Sequence, residues 1–403
     1  MKTVCMLTNL FHPVVSGSST QCAGLAAELA RQGRPSLVVT SRLQADTPAE
    51  EEAGGVRIFR LPALRLPRLP IAFNFPWLNA TTTPSNLRRM REILQRHDVD
   101  VIHVHNHMFD MALSGARLAR QLGLPLVVTI HTIIKHSSPV LDFFLRSADR
   151  MLLKPLVIDR ADAVICPDEN VRQYLAERFR RLDGFLVPYG IALESPSAEE
   201  VEQVRARYGL AGKRAIVSLG HMHAIRNRLD LIRALPSILL SVPQAVLVVV
   251  GAVADQAPVS LAQSLGLGDS VVFTGSQPHR LVPAFLALAD LEAHWLNQDS
   301  PSRTSLGVAS MEAMSAGKVV LAAANVNTFG PGVLESGRNV VIVEPGDPDR
   351  LARTIVDLLR DDGQRRRIGA EAAITVAQNF SWPRVAERTL DVYAAAARAR
   401  GSR

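Results

Sequence analysis

Short apolar runs alternate with amphipathic stretches of helical length through the first half of the chain. The runs predicted as strands are Thr3–Leu7, Ser36–Thr40, Val101–His105, Pro125–Ile130, Ala163–Cys166 and Phe185–Val187. Helices are predicted between them, including Ala23–Gln32, Asn86–Gln95 and Met111–Gln121. The strand runs are continuously rich in valine, isoleucine and leucine, which is typical of parallel strands covered by helices on both faces. Repeated strand–helix units of this kind predict a doubly wound α/β domain.

The same pattern starts again in the second half of the chain. Its predicted strands are Ala215–Leu219, Ala245–Val250, Ser270–Phe273, Leu291–His294, Val319–Ala322 and Val340–Val343. Its predicted helices are Leu229–Leu240, Leu261–Leu265, Leu281–Ala289, Leu306–Ala316 and Arg350–Leu359. A polar, acidic segment, Ala192–Val204, separates the halves, and a chain of 403 residues is long enough for two domains. We therefore expect domains at 1–190 and 191–381, with a ligand cleft between the carboxyl edges of their sheets.

Composition narrows the class of protein. The chain is 47% apolar and 21% charged, as in globular proteins. Three cysteines lie far apart without metal-ligand spacing, which argues against a disulfide framework and favours a cytoplasmic protein. The longest apolar run, Ala245–Val253, is too short to cross a bilayer, and the N-terminus is better interpreted as a buried first strand than as a signal peptide.

The positive charge is concentrated in the first half of the chain. Residues 1–190 hold 23 Lys and Arg against 17 Asp and Glu, within a total of +7. An anionic partner there, such as membrane headgroups or a phosphorylated acceptor, is one interpretation, and solubility is the other. Nucleic acid is disfavoured because aromatic residues make up only 5%. Leu61–Leu78 mixes arginines, prolines and apolar residues, so it could contact an anionic membrane surface, or form an acceptor loop or packed arm.

Two turns suit an anionic ligand. Gly17 and Ser18 precede the first long helix, where small residues let backbone N–H groups approach a phosphate, although such a turn can also merely pack. The second half has Gly220, His221 and Arg226 after its first strand, and a guanidinium suits a departing diphosphate, although a solvated basic loop is the alternative. The G-x-G-x-x-G and Walker patterns are absent, which disfavours a nicotinamide cofactor.

The helix predicted around Ser305 to Gly317 is a further anion-site candidate. Ser305 can cap it, and the amides near Ser305, Leu306 and Gly307 would bind an anion. Glu312 lies two turns in, on an otherwise apolar face, and needs hydrogen-bond partners. Ribose hydroxyls would supply them, and an arginine of the same domain is the alternative.

Histidines cluster where two predicted strands end. His103 and His105 alternate on one strand and share a face, His107 follows, and His131 ends the next strand. Three histidines at this spacing could hold zinc, but His107 comes after the strand and no carboxylate or thiolate is placed to help. We expect no metal and assign His103, His105 and His107 to the side of the pocket that receives the acceptor.

Several short motifs occur together in one order. They are His12-Pro13 with Gly17-Ser18, Asp100–His105, Thr129–Thr132, Ala161–Ile165, Val187–Ile191 and Phe380–Trp382. The chain resembles the retaining glycosyltransferases of family four, which have the GT-B fold and motifs such as DVIHxH, TxHT, ADxVI and xPNGI. The resemblance covers nearly the whole chain. It implies that His131 contacts the transferred sugar, that a nucleoside-diphosphate sugar is the donor, and that the last helix, 382–403, returns to the first domain.

The chain departs from the family pattern at the donor site. The family's GRLxxxKG motif places its Arg at His221, its Lys at Arg226 and its last Gly at Asn227. The Glu-x₇-Glu motif keeps its second Glu as Glu312, which grips the ribose in the family, but places its first at Thr304. Nucleotide binding is therefore expected to be preserved and sugar recognition to differ. Asp299, in a short insertion before the motif, could reach the place of the missing acid.

The resemblance implies transfer of a sugar from a UDP- or GDP-sugar to an acceptor hydroxyl of a glycan, lipid or small molecule, with retention and without a metal. His131, Arg226 and His221 are the expected catalytic groups. Gly17, Ser18, Gly220, Ser305, Leu306, Gly307 and Glu312, with Thr304 at the substituted position, are the expected donor contacts. A degenerate protein of the same fold that binds a sugar nucleotide or a partner without turnover is the alternative, and the oligomeric state stays open.

Overall fold

The computed structural model describes residues 3–14, 16–65, 79–134, 138–222, 226–296 and 305–402. The chain divides into two compact units. Unit 1 comprises Met1–Gly190 and Trp382–Arg403, and unit 2 comprises Ile191–Ser381. Each unit has its own parallel sheet with helices between successive strands, so the predicted pair of doubly wound α/β sheets is confirmed.

Unit 1 contains a long central sheet and, apart from it, the short antiparallel pair Leu64–Arg65 and Asn79–Ala80. Its strands are β1 (Thr3–Thr8), β2 (Ser36–Arg42), β3 (Glu50–Ala53), β4 (Val56–Pro62), β5 (Leu64–Arg65), β6 (Asn79–Ala80), β7 (Val99–His105), β8 (Leu126–Thr129), β9 (Ala163–Cys166) and β10 (Gly184–Leu186). Its helices are α1 (Gly17–Arg31), α2 (Pro84–Arg96), α3 (Asp110–Leu122), α4 (Pro139–Ala148), α5 (Lys154–Leu156), α6 (Glu169–Phe179) and, at the end of the chain, α14 (Trp382–Gly401). A π-helical turn, Asp149–Leu153, and a 3₁₀ turn, Ile158–Arg160, flank α5. In the described part of unit 1, the main sheet has the order β10-β9-β8-β7-β1-β2-β4-β3.

Alternate residues of β1 show why the strands lack a polar face. Cys5 and Leu7 pack into one apolar cluster with residues of α2, α3 and α6, whereas Val4 and Met6 pack into another with residues of α1 and α14. Both faces of the sheet are therefore buried by helices, and the four central positions of the strand, Val4 to Leu7, are all apolar for that reason.

The start of α14 is fixed by close packing of an indole ring. A side chain on either Gly24 or Gly190 would overlap the Trp382 ring. Further along the helix, Tyr393 is fully buried against the sheet. The last helix thus packs on unit 1, to which it belongs by its contacts.

Unit 2 has a second parallel sheet. Its strands are β11 (Arg214–Leu219), β12 (Ala245–Val250), β13 (Val271–Phe273), β14 (Ala289–Trp295), β15 (Val319–Ala322) and β16 (Val341–Ile342). Its helices are α7 (Ala198–Arg207), α8 (Leu229–Ser241), α9 (Ala257–Ser264), α10 (Val282–Leu288), α11 (Val308–Ser315), α12 (Pro348–Arg360) and α13 (Asp362–Asn379), with 3₁₀ turns at Gly268–Ser270 and His279–Leu281. Among the residues described there, the strand order is β13-β12-β11-β14-β15-β16.

Two parts of this architecture differ from the sequence prediction. The β3–β4 pair was not predicted, because β3 is a polar run, Glu50–Ala53, that pairs antiparallel at the edge of the sheet and stays largely exposed. Charged residues are common on such edges because they discourage further strand pairing. The long helix α13 was also not predicted, since polar residues such as Arg365 and Thr375 occupy its buried positions and weaken the apolar periodicity.

Candidate functional site

Three aromatic rings stack at the carboxyl edge of the unit 1 sheet. His105 is the last residue of β7, and His131 follows β8. His105 Nδ1 lies 3.0 Å from His131 Nε2, and His131 Nδ1 lies 3.1 Å from the Tyr189 hydroxyl. The His131 ring is nearly parallel to both neighbours, with interplanar angles of 16° and 14°. Tyr189 was not predicted as a site residue from the sequence, although it lies within the Val187–Ile191 motif.

Burial sets the charge state of this stack. It lowers the pKa of His131 to about 3, with a smaller effect from the charge of His107, and it lowers the pKa of His105 well below its usual value. Burial also raises the pKa of Tyr189. Near neutral pH the two imidazoles are therefore uncharged and Tyr189 keeps its proton. We infer that the Tyr189 hydroxyl donates to His131 Nδ1, which leaves the His131 proton on Nε2.

The other two predicted acceptor-side histidines have different surroundings. His103 Nδ1 lies 2.7 Å from the Tyr393 hydroxyl and its Nε2 lies 2.7 Å from Thr129 Oγ1, so His103 links α14 to the sheet. His107 is fully buried against the ring edges of Tyr174 and Phe179. Burial lowers the pKa of both His103 and His107 to about 3. Of the three, His105 is the one that hydrogen-bonds to His131, and no metal-binding group of histidine, cysteine or carboxylate side chains occurs in the described ranges.

The first turn of α1 is open at its glycine. Gly17 starts the helix, and apart from its chain neighbours and the helix backbone no atom of the described residues lies within 4 Å of the position that a Cβ would occupy. Ser16 is the N-cap residue and forms a capping box with Ser19. The Ser19 amide is therefore satisfied by Ser16, while Gly17 is exposed and Ser18 is half-buried.

A close approach of backbone and guanidinium defines the turn after β11. Gly220 has a φ of 102°, and a side chain on it would overlap the guanidinium of Arg226. A side chain on Gly251, at the end of β12, would overlap the backbone of Gly220. Positions 220 and 251 therefore both require glycine. Because Gly220 has no side chain, the guanidinium of Arg226 can lie against the backbone at the carboxyl edge of the sheet.

Arg228, the second arginine of the predicted cationic turn, is buried and supports the backbone of that turn. It is 2% exposed. Its guanidinium donates to the carbonyl oxygens of Leu219 and Gly220 at 3.0 and 2.8 Å, and to Ser218 Oγ at 3.0 Å. Burial lowers the pKa of Arg226, and burial together with the charge of Arg226 lowers the pKa of Arg228.

His221 faces the neighbouring turn with one ring nitrogen. The backbone N–H of Ala252 donates to His221 Nδ1 at 3.1 Å. A nitrogen that accepts an amide proton carries none itself, so the ring proton of His221 is on Nε2. His221 thus brings an imidazole to the turn at the position where the family motif has an arginine.

A buried carboxylate connects β14 with α11. Glu292, His294 and Ser310 are each at most 1% exposed. His294 Nδ1 bonds Glu292 Oε1, and the Ser310 hydroxyl donates to Glu292 Oε2 at 3.1 Å. The charge of Glu292 also favours the protonated form of Arg226, although burial dominates the pKa of that guanidinium. Glu and His at alternate positions of an apolar strand were the sequence pattern that could have indicated this cluster.

The helix that carries Glu312 starts later than predicted. α11 begins at Val308 with Gly307 as N-cap, and no side chain caps it. Ser305 is not the cap, because the backbone becomes helical only after Gly307 and the Ser305 hydroxyl lies 3.4 Å from the Leu306 carbonyl. Among the residues that the structure describes, no side chain therefore caps the amides of the first turn of α11.

Glu312 is 7% exposed and has one described ionic partner. Its Oε1 lies 2.8 Å from Nε2 of His279, which is largely exposed and follows β13. The partner is thus a histidine rather than an arginine. The hydrogen bond to Glu312, more than its charge, raises the pKa of His279.

Some predicted features lie outside the described residues. Thr304 and Asp299 are among them, as is all but the start of the Leu61–Leu78 segment. No helix in the described ranges is long and apolar enough to span a bilayer.

Family models match both halves of the chain. Residues 16–190 match the model described as Glycosyl transferase 4-like domain, and residues 200–374 match Glycosyl transferases group 1. The chain is 26% identical over 339 residues to an alpha-monoglucosyldiacylglycerol synthase of Streptococcus pneumoniae, covering 79% of this chain and 70% of that relative. It is 25% identical over 391 residues to a GDP-mannose-dependent alpha-(1-6)-phosphatidylinositol monomannoside mannosyltransferase of Mycolicibacterium smegmatis, covering 94% of each chain.

Solved structures share the fold. The Anabaena protein HepE in complex with UDP and glucose superposes with a TM-score of 0.70 at 19% identity, covering 97% of this chain and 99% of that one. Sucrose-phosphate synthase from Thermosynechococcus elongatus gives a TM-score of 0.69 at 19% identity and covers 98% of each chain.

Proposed function

Because the chain belongs to the glycosyltransferases of family four and has the GT-B fold, we propose that it transfers a sugar from a nucleoside diphosphate to an acceptor hydroxyl with retention of the anomeric configuration. The observation that carries this proposal is the arrangement at the carboxyl edge of the unit 2 sheet. Arg226 lies against Gly220 after β11, and the neighbouring strand β14 leads to α11, whose first amides lack a side-chain cap.

Two kinds of positive partner would then face the departing diphosphate. Arg226 supplies a permanent charge, and the first amides of α11 supply the partial charge of a helix N-terminus. Negative charge grows on the diphosphate as the glycosidic bond breaks, so both stabilise the transition state more than the ground state. In this proposal they do the work of a metal ion within unit 2. The open turn at Gly17 stays a separate predicted anion site of unit 1.

Glu312 is proposed to bind the ribose. A buried carboxylate on α11 accepts hydrogen bonds from vicinal hydroxyls, and its present partner His279 lies on the exposed side. His131, uncharged near neutral pH because burial lowers its pKa, is proposed to orient the transferred sugar by hydrogen bonding. The sequence offers no carboxylate that stands out as a glycosyl nucleophile, so we propose front-face attack rather than a covalent intermediate.

The relatives suggest the classes of donor and acceptor. One relative is named for GDP-mannose and for phosphatidylinositol monomannoside, another is named as a synthase of alpha-monoglucosyldiacylglycerol, and the HepE structure contains UDP. We propose a UDP- or GDP-sugar as donor and a hydroxyl of a glycan, a lipid or a small polar molecule as acceptor.

Turnover with defined donors tests the proposal. The protein would be incubated with a panel of UDP- and GDP-sugars and candidate acceptors, while release of nucleoside diphosphate is followed and the anomeric configuration of each product is read by NMR. We expect release with at least one donor and a product of retained configuration. Binding of a sugar nucleotide without turnover across the panel would favour a non-catalytic binding protein, and an inverted product would contradict retention.

A further inference from the structure

A run of exposed apolar side chains follows the His131 loop in unit 1. Twelve large apolar side chains are exposed in the described part of the protein, and five of them lie between residues 140 and 152. We call this set the α4 surface; its members are Val140, Phe143, Phe144, Met151 and Leu152. Soluble proteins rarely leave such a cluster uncovered unless it binds something.

The spacing of these residues makes one apolar face. Val140, Phe143 and Phe144 have the i, i+3, i+4 spacing of one side of a helix, and each is more than 60% exposed. Met151 and Leu152 extend the run into the π-helical turn after α4. None of the ten residues of α4 is fully buried. The helix therefore gains little from the core of unit 1, and its apolar face is directed outward.

The α4 surface is held in place by a buried ion pair. Asp149, at the end of α4, lies 2.6 Å from Arg178 of α6, and both side chains are less than 9% exposed. The same guanidinium donates to the carbonyl oxygen of Ile134 at 3.2 Å. Ile134 is three residues after His131. Arg178 thus fixes the α4 surface beside the edge of the sheet that carries the His131 ring stack.

The charges next to the apolar face are balanced, and the excess of positive charge belongs to unit 1 as a whole. Arg150 is exposed within the run, while Arg146 and Lys154 are paired with Asp142 and Asp159 at 2.6 Å. The unit as a whole is basic: unit 1 has 28 Lys and Arg against 19 Asp and Glu, a net +9, whereas unit 2 has 17 against 19, a net −2. A second copy of unit 1 would bring two such charges together, which disfavours self-association through this face.

We propose that the α4 surface inserts into the headgroup region of an anionic phospholipid bilayer. Exposed phenylalanines on a short helix, next to a cation and on a basic domain, are the features of a helix that lies in a membrane interface. Apolar burial supplies one part of the affinity, and attraction of unit 1 to anionic lipid supplies the other. The His131 edge would then lie beside the lipid surface, where a membrane-borne acceptor hydroxyl is presented.

This docking goes beyond sugar transfer and is tested without any donor. The full chain would be sedimented with vesicles of phosphatidylcholine alone and of phosphatidylcholine mixed equally with phosphatidylglycerol. We expect binding to the anionic vesicles, weakened by salt, and little binding to the neutral ones. The double variant Phe143→Ser/Phe144→Ser should lower the partition coefficient about tenfold or more, since two large apolar side chains are lost from the interface. Arg150→Glu should weaken binding to anionic vesicles alone.

A matched control removes exposed apolar side chains elsewhere. Leu182→Ser/Leu240→Ser changes two leucines that are 82% and 86% exposed and lie outside the α4 surface, and it should bind vesicles as the unchanged protein does. Thermal unfolding of each variant checks that the fold is kept. The proposal is overturned if the unchanged protein does not bind anionic vesicles, or if the phenylalanine variant binds them as well as the control does. It is also overturned if the unchanged protein is a dimer and the phenylalanine substitutions make it a monomer.

Discussion

The hydroxyl of Tyr189 lies 3.1 Å from Nδ1 of His131, with the two rings nearly parallel. Tyr189 stands in the Val187–Ile191 motif at the position where the resembling family has asparagine. Since burial keeps the tyrosine protonated and the imidazole neutral, this contact selects the His131 tautomer that has its proton on Nε2. The tyrosine acts on the imidazole, and we regard it as a positioning residue.

Tyr189→Phe keeps the stacked ring and removes the hydroxyl. We expect kcat to fall about tenfold, the size of one lost hydrogen bond, while the KM for the donor changes little. Tyr208→Phe is the matched control, because the buried Tyr208 hydroxyl has no hydrogen-bond partner among the described residues. Equal kcat values for the two variants would show that the Tyr189 hydroxyl does not position His131 for catalysis.

Competition for Glu312 makes donor binding depend on pH. The hydrogen bond to Glu312 raises the pKa of His279. The ion pair therefore persists at every pH below the usual pKa of histidine and for some distance above it. The pair is lost as the pH rises through the raised pKa, which frees the carboxylate for ribose. We therefore expect the KM for the donor to fall as pH rises through this range.

Two substitutions separate these roles. His279→Ala should lower the donor KM and abolish its pH dependence, whereas Glu312→Gln should raise the donor KM about tenfold, as expected for a lost charged hydrogen bond. Donor saturation curves at several pH values measure both. A pH-dependent KM that persists in His279→Ala would exclude this pairing as its cause.

Buried neutral histidines make the fold sensitive to acid. Burial lowers the pKa of His103, His107 and His131 to about 3, whereas an unfolded chain titrates histidine near 6.5. The stability that they contribute is present above about pH 6.5 and is lost as the pH falls from there towards 3. Each adds a slope of up to about 1.4 kcal/mol per pH unit to the free energy of unfolding in that window.

His107→Phe isolates one of these slopes. The ring nitrogens of His107 have no hydrogen-bond partner in the part of the chain that the structure describes. Replacing the ring with phenylalanine should therefore raise the free energy of unfolding at pH 7 by about 1 kcal/mol or more. Urea unfolding at pH 7 and pH 5 should also show about one fewer proton taken up on unfolding. An unchanged pH slope would contradict the burial of an uncharged His107.

Glu292 is expected to be a structural centre of unit 2. Glu292→Gln removes a buried charge that bonds His294 and Ser310 and opposes the charge of Arg226. Breaking such an arrangement typically costs about 3–5 kcal/mol, which a lower urea midpoint would report. Glu344→Gln, at a 78% exposed side chain, serves as the control. Unfolding of both variants at the wild-type midpoint would show that the buried cluster contributes nothing.

The strands and the edge residues His131 and Arg226 could be located from sequence because apolar runs and turn positions are local properties. The contact between Tyr189 and His131 could not be predicted, since 58 residues separate them and the contact arises only when the strands assemble. The sequence placed Arg228 in the cationic turn but did not predict that it would be buried, because its partners are carbonyl oxygens that no pattern of side chains records. Ser305 had the right residue type for a cap, but the helix start depends on backbone angles that begin at Gly307.

Release of nucleoside diphosphate from its preferred sugar nucleotide by the wild type and Arg226→Ala tests the central claim most directly. Arg233→Ala, which removes a half-exposed arginine paired with Asp230, is the control. We expect kcat to fall about a hundredfold or more in Arg226→Ala, as when one transition-state contact to a departing oxyanion is lost, and to stay unchanged in Arg233→Ala. Equal turnover by Arg226→Ala and the wild type would contradict the proposal that Arg226 stabilises the departing diphosphate.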